Sequence, residues 1–279
     1  MVTPHFVYSY TNFNKSWEHI LKDIVLHGNN ITFGDMSELK NAREIHMTLQ
    51  LYGDAIKQTL NCDVHPMYPI RGQALLDHVA DYQVSQSELK QQVNPETGYV
   101  YTYQFQLRNY GIDCDQLENM RNKIIEEQKH PILASNRLFA MVNDVKFLNN
   151  KNPPCLQSVY VRRLQGNEYA VRYIFRSHDI FGGLLSNNPA LTNCLNEFVF
   201  KPSNTRIAEI TFDSLSAHVY ETDSQIVEQI TGLDWDTRRP IGKPKRKTAR
   251  TTIHSIHQSA LNKTLDKISE RCEEMKKYV

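Results

Sequence analysis

Cys155 stands directly after two prolines, and Arg176-Ser-His-Asp179 follows about twenty residues later. A thiol near a guanidinium is a chemical proposal. The thiolate is the actual nucleophile, a free cysteine is mostly protonated at neutral pH, and a nearby arginine lowers its pKa. Arg176 and Ser177 together suit a phosphate, because they offer a planar donor fork and a hydroxyl. Asp179 and Asn187 lie eight residues apart across Gly182-Gly183 and can read the polar edge of a ring. A cysteine standing alone is more commonly a small buried hydrophobe. The prolines before Cys155 and the polar cluster after it set this one apart.

These groups need a scaffold that brings them together. Tyr169, Val171, Tyr173 and Phe175 alternate with Ala170, Arg172, Ile174 and Arg176, which is the period of a strand. Val159 and Val161 alternate in the same way. The short loop Gln165-Gly-Asn167 between the two runs predicts a hairpin. Antiparallel pairing then brings Cys155 at one end near Arg176 at the other. Asn188 reads as a helix N-cap with Pro189 at the first helical position.

Composition bounds the rest. With 32 Lys+Arg against 31 Asp+Glu, the formal charge of +1 gives no bulk argument for nucleic acid. Five scattered cysteines without a Cys-x-x-Cys pair argue against a disulfide framework or a zinc site, and for a reducing compartment. No apolar run approaches the roughly 18 residues of a membrane span, and the N-terminus does not read as a signal peptide. The expectation is a cytoplasmic protein.

Along the chain, Ser16–Leu26 has helical apolar spacing with Ser16 as its cap, and Ile45, Met47, Leu49 and Leu51 alternate as a strand. Asp77 and Asp81 fall on one helical face. The aromatic alternation in Gly98–Arg108 predicts a half-buried strand. A helix opens at Asp115-Gln116-Leu117 and stops before Pro131. Ile207–Phe212 is a further strand, leading into Ser214–Tyr220. Arg238–Arg250 is a basic linker, and Thr252–Tyr278 has the spacing of an amphipathic helix. The linker is read as a solvated charge run rather than a nucleic-acid contact.

Pro-Cys155, Arg176-Ser177-x-Asp179 and Asn187, followed by His218-x-Tyr220, resemble the thymidylate synthase family from about Lys40 to about Tyr220. The Pro-Pro-Cys-Leu form is similar to the archaeal branch. The resemblance implies one α+β domain with helices on one face of a large mixed sheet, over residues 1–235, and a homodimer packed sheet against sheet. Residues 236–279 form the linker and C-terminal helix. It further implies that Cys155 adds to C6 of dUMP and that Tyr103 helps to remove the C5 proton. Asn187 would read the uracil, with Asp179 on the pterin of methylenetetrahydrofolate. Arg43, Arg176, Ser177 and Arg137 of the partner subunit would hold the phosphate. His218 and Tyr220 would hold the sugar hydroxyl. The product would be dTMP.

Three departures stand out. Glu44-Ile-His-Met47 replaces the family's Thr-Gly-Thr-Gly, Asn136 replaces the first of two arginines, and the usual Glu-Leu-Leu-Trp element is missing from residues 54–98. They keep two rivals in view: a hydroxymethylase of dUMP or dCMP, in which water replaces hydride, and a non-catalytic nucleotide-binding homologue.

Overall fold

The computed structural model describes residues 2–34, 39–91, 102–111, 114–130, 134–147 and 153–241. The amphipathic segment Thr252–Tyr278 and the linker beyond Ile241 lie outside the described residues. So does the first part of the 98–108 alternation.

An eight-stranded mixed sheet forms the centre. Its strands are β1 (His5–Tyr10), β2 (Asn29–Phe33), β3 (Lys40–Tyr52), β4 (Phe139–Met141), β5 (Leu156–Arg163), β6 (Glu168–Phe175), β7 (His178–Asp179) and β8 (Arg206–Tyr220). The order is β1-β3-β8-β6-β5-β4, with β2 beside β3 and β7 beside β8. β1 runs parallel to β3 and β6 parallel to β8, whereas β3–β8 and β5–β6 are antiparallel. The expected hairpin is β5–β6, and Gly166 in its turn has φ +54°, a left-handed conformation in which a Cβ is strained.

Period-two alternation gives the sheet two unlike faces. Ile45, Met47, Leu49 and Leu51 of β3 are fully buried, while His46, Thr48 and Gln50 between them are half-buried. Helix α1 (Phe13–His27) covers the buried face with Trp17, Ile20, Leu21 and Ile24. Leu184, Leu185 and Leu191 join that core from the helix Leu184–Leu195. On the other face Val7 is 72% exposed, and Phe139 and Tyr160 stack there at 6.0 Å, largely in the open.

Three local expectations need correction. The cap of α1 is Asn12, whose side chain accepts from the Lys15 N–H at 2.9 Å; Ser16 is buried one turn on and returns its hydroxyl to the Phe13 carbonyl. Tyr103–Arg108 is a short helix, not a strand, with Thr102 as its cap. All but Tyr103 are buried there, and the long polar side chains reach neighbouring backbone, as Gln104 does with the Asp81 carbonyl. Burial on every side leaves no periodicity for the sequence to display. Asn188 and Pro189 lie inside the helix Leu184–Leu195, which starts after Gly183. Buried Asn188 donates to Thr59 and accepts from Thr192, a fully paired interior network that imitates a cap in sequence. The expected strand at Ile207–Phe212 is there and continues to Tyr220 as the fifteen-residue β8, with one register shift against β3 opposite residues 214–217.

Candidate active site

The end of the β5–β6 hairpin fixes Cys155. Its carbonyl accepts the Arg176 backbone N–H at 2.9 Å. The Arg176 side chain then folds over the turn: Nε donates to the Pro154 carbonyl at 3.0 Å and Nη2 to the Pro153 carbonyl at 2.6 Å. Nη2 is 3.9 Å from Cys155 Sγ. Each proline offers a carbonyl acceptor and no backbone N–H of its own, so the Pro-Pro-Cys turn leaves two carbonyls for the guanidinium to clasp. The Tyr103 hydroxyl also reaches the thiol. Burial pushes the Cys155 pKa up, against the opposing pull of Arg176 and then Tyr103. The unliganded site therefore holds a thiol with its activating groups already in place.

Tyr220 enters from β8. Its hydroxyl is pushed up by burial, then by the charges of Asp179 and Cys155, with Arg176 pulling the other way. These four side chains from three parts of the chain thus share one neighbourhood. Asp179 sits on β7, paired with His218. Its Oδ1 accepts the Gly182 N–H at 2.8 Å. A Cβ at Gly182 would lie 2.6 Å from Asp179 Oδ2, and one at Gly183 3.2 Å from Asn187 Nδ2. The Gly-Gly pair is what lets the carboxylate and the Asn187 amide close on the same loop.

No protein-family model matches the chain. A protein of Methanosarcina mazei named "putative thymidylate synthase" is 25% identical over 220 residues, 78% of this chain and 91% of the relative. Proteins of the same name from Methanosarcina barkeri and Methanococcoides burtonii are 30% identical over 134 residues and 25% identical over 182. Those alignments span 47% of this chain and 58% of the barkeri relative, and 64% and 80% for the burtonii one. This chain is thus similar, at 25–30% identity, to archaeal proteins named putative thymidylate synthase.

Not every residue that the thymidylate synthase resemblance pointed to joins the Cys155 group. Ser177 is half-buried between Arg176 and His178. His218 is 2% exposed, with Nδ1 3.2 Å from the Ser216 carbonyl, and burial lowers its pKa to about 4. Arg43 is placed elsewhere. It pairs with Val219 across β3–β8, so it projects from the face opposite His218 and Tyr220. Its Nε donates to Asn30 at 3.0 Å, its Nη1 donates to the Val25 carbonyl at 3.1 Å, and its guanidinium lies 4.5 Å from the Trp235 ring centre. Arg238 donates to the Leu26 and Gly28 carbonyls beside it. Both cations meet the negative end of α1, a structural role that satisfies its last carbonyls. Arg137 is exposed just before β4, at the opposite end of the hairpin from Cys155. Seven strand residues separate the two levels, or roughly 20 Å.

Two residues that hold the site left no signal in the sequence. Buried Trp17 donates its indole N–H to the Ile180 carbonyl at 2.7 Å, and buried Tyr68 donates to the Gly182 carbonyl at 2.8 Å. They fix the 179–183 loop from 163 and 114 residues away. Among the described residues no group of three or more His, Cys, Asp or Glu is arranged to hold a metal. No described helix is long and apolar enough to cross a membrane.

Proposed function

We propose that this chain methylates C5 of dUMP, giving dTMP, through a covalent bond between Cys155 and C6. The observation that carries the reading is the Cys155 thiol held against Arg176 and Tyr103, with Asp179 and Tyr220 in the same neighbourhood. Arg176 and Ser177 bind the phosphate, joined by Arg137 of the partner subunit. Asn187 offers a carbonyl and an amide to N3–H and O4 of the base. His218 and Tyr220 hold the sugar. Attack by Cys155 on C6 pushes the electron pair to C5 and O4, which makes C5 nucleophilic. Tyr103 assists loss of the C5 proton, and departure of Cys155 restores the ring double bond.

Methylenetetrahydrofolate, when bound, supplies the one-carbon unit and the hydride that reduces it. The residues present fit such a pterin at one point: Asp179 is an acceptor-only group, suited to its N–H edge, and Gly182-Gly183 place no side chain over the carboxylate.

The reading includes a sheet-to-sheet homodimer. It would cover the exposed Phe139 and Tyr160 and carry Arg137 to the other protomer's site.

One observation keeps hydroxymethyl transfer as a second reading. The chain has two tryptophans. Trp17 is fully buried with its N–H committed, and Trp235 lies against Arg43. Neither is available to stack on a pterin, which hydride transfer requires to stay beside the new methylene. Incubation with dUMP, dCMP and methylenetetrahydrofolate, with products identified by mass, tests the proposal. The expected result is dTMP with equimolar dihydrofolate. A 5-hydroxymethyl nucleotide without dihydrofolate establishes the second reading, and bound but unchanged nucleotide means a non-catalytic homologue.

A further inference from the structure

Glu44 and His218 are directly paired across β3 and β8, so their side chains stand together on one face of the sheet. Each has a fixed polarity. His218 Nδ1 meets the Ser216 carbonyl, which can only accept, so the proton of the neutral ring is on Nδ1 and Nε2 is a bare lone pair. The Ser216 hydroxyl donates to Glu44 Oε2 at 2.5 Å, and the carboxylate likewise only accepts. Among the described residues His218 Nε2 has no hydrogen-bond partner, although the residue is 2% exposed. Two acceptors side by side, one of them buried and unpaired, carry a desolvation penalty that a donor between them removes. Phe33 and Tyr220 flank the imidazole with ring centres at 4.7 and 4.8 Å, so the donor must come on a compact group.

We propose that Glu44 is a substrate-binding residue that, with His218 Nε2, forms an acceptor pair for a hydroxyl donor on the sugar of the nucleotide. This rests on the nucleotide reading above and adds a group to it. Glu44 falls within the four residues that replace Thr-Gly-Thr-Gly, so this contact would be particular to this chain's variant of the site. The sugar hydroxyl shares its one proton between Nε2 and the Glu44 carboxylate in a three-centre hydrogen bond, and Tyr220 closes over the apolar edge of the sugar.

Glu44→Gln tests the assignment, because the new amide can itself donate to His218 Nε2 and fill the place of the ligand hydroxyl. Affinities for dUMP and for 2′,3′-dideoxyuridine monophosphate are measured by calorimetry, with thermal unfolding of the unliganded variant alongside. The expected result is dUMP binding weakened about tenfold, the size of one lost charge-assisted hydrogen bond. Binding of the 3′-deoxy analogue stays within twofold and Tm does not fall. Equal weakening of both ligands, unchanged dUMP binding, or a lowered Tm overturns the inference. If the wild-type protein binds neither ligand, it is the nucleotide reading that fails.

Discussion

Arg176→Gln should slow alkylation of Cys155 in the unliganded protein about 10- to 30-fold at neutral pH. At the observed 3.9 Å between Nη2 and Sγ, a full unit charge in an effective dielectric of about 20 is worth about 4 kcal/mol to the thiolate. The charge is spread over the guanidinium, and both groups are partly open to water, so about a third to a half of that remains, or about 1.4–2 kcal/mol. About 1.4 kcal/mol is a factor of ten, so the thiolate fraction should fall about 10- to 30-fold, on top of the burial that already raises the Cys155 pKa. Iodoacetamide rates are read peptide by peptide across pH, with exposed Cys114 as the internal reference. In the wild-type protein the Cys155 rate should still be climbing above about pH 8.5, where an ordinary cysteine has reached its midpoint. Arg176→Lys keeps the charge but loses the fork on the Pro153 and Pro154 carbonyls, so it should fall between the two. A Cys155 rate profile that is the same in Arg176→Gln and in wild type refutes the electrostatic argument.

Acid should destabilise the fold through its buried imidazoles. Burial lowers the His178 pKa to about 3 and that of His218 to about 4, so both are neutral when folded, while the unfolded chain protonates them near pH 6.5. The unfolded state thus binds more protons below that pH. Stability is complete above about pH 6.5 and falls toward pH 4 by up to about 2.7 kcal/mol per pH unit for the two groups. Urea midpoints between pH 7 and 5 measure the slope, which His178→Phe should roughly halve; a flat profile contradicts the assignment. Arg43→Ala should lower unfolding free energy by about 2–4 kcal/mol, because it strips donors from Asn30 and the end of α1. Unchanged stability with a raised KM would return Arg43 to the phosphate. Co-refolding Cys155→Ala with Arg137→Ala at equal ratio should recover about a quarter of wild-type activity, since random pairing makes about half the dimers mixed, each with one intact site. If mixed dimers form without added activity, Arg137 does not cross to the partner.

The sequence determined the local half of this protein. Alternation along 156–163 and 168–175 set the hairpin, because side-chain period on a pleated strand is a property of the chain itself. The turn at Gly166 then made it inevitable that Cys155 and Arg176 would meet. Gly182-Gly183 beside Asp179 was legible for the same reason: the close approach of the glycines to Asp179 and Asn187 lies within nine consecutive residues. The tertiary structure decided what depends on distant partners. Whether Arg43 faces a ligand or the end of α1 turns on its register against Val219 and on Trp235, nearly two hundred residues away. The helix at Tyr103–Arg108 is buried on every side, and burial without a solvent face erases periodicity. Asn188 and Pro189 look like a helix start because an interior amide network uses the same residue types as a cap. In sequence Glu44 showed only as part of the segment that replaces Thr-Gly-Thr-Gly, with no role attached. Its meaning appears only when β8 lays His218 and Ser216 beside it, since hydrogen-bond polarity is a property of the pair and not of either residue alone.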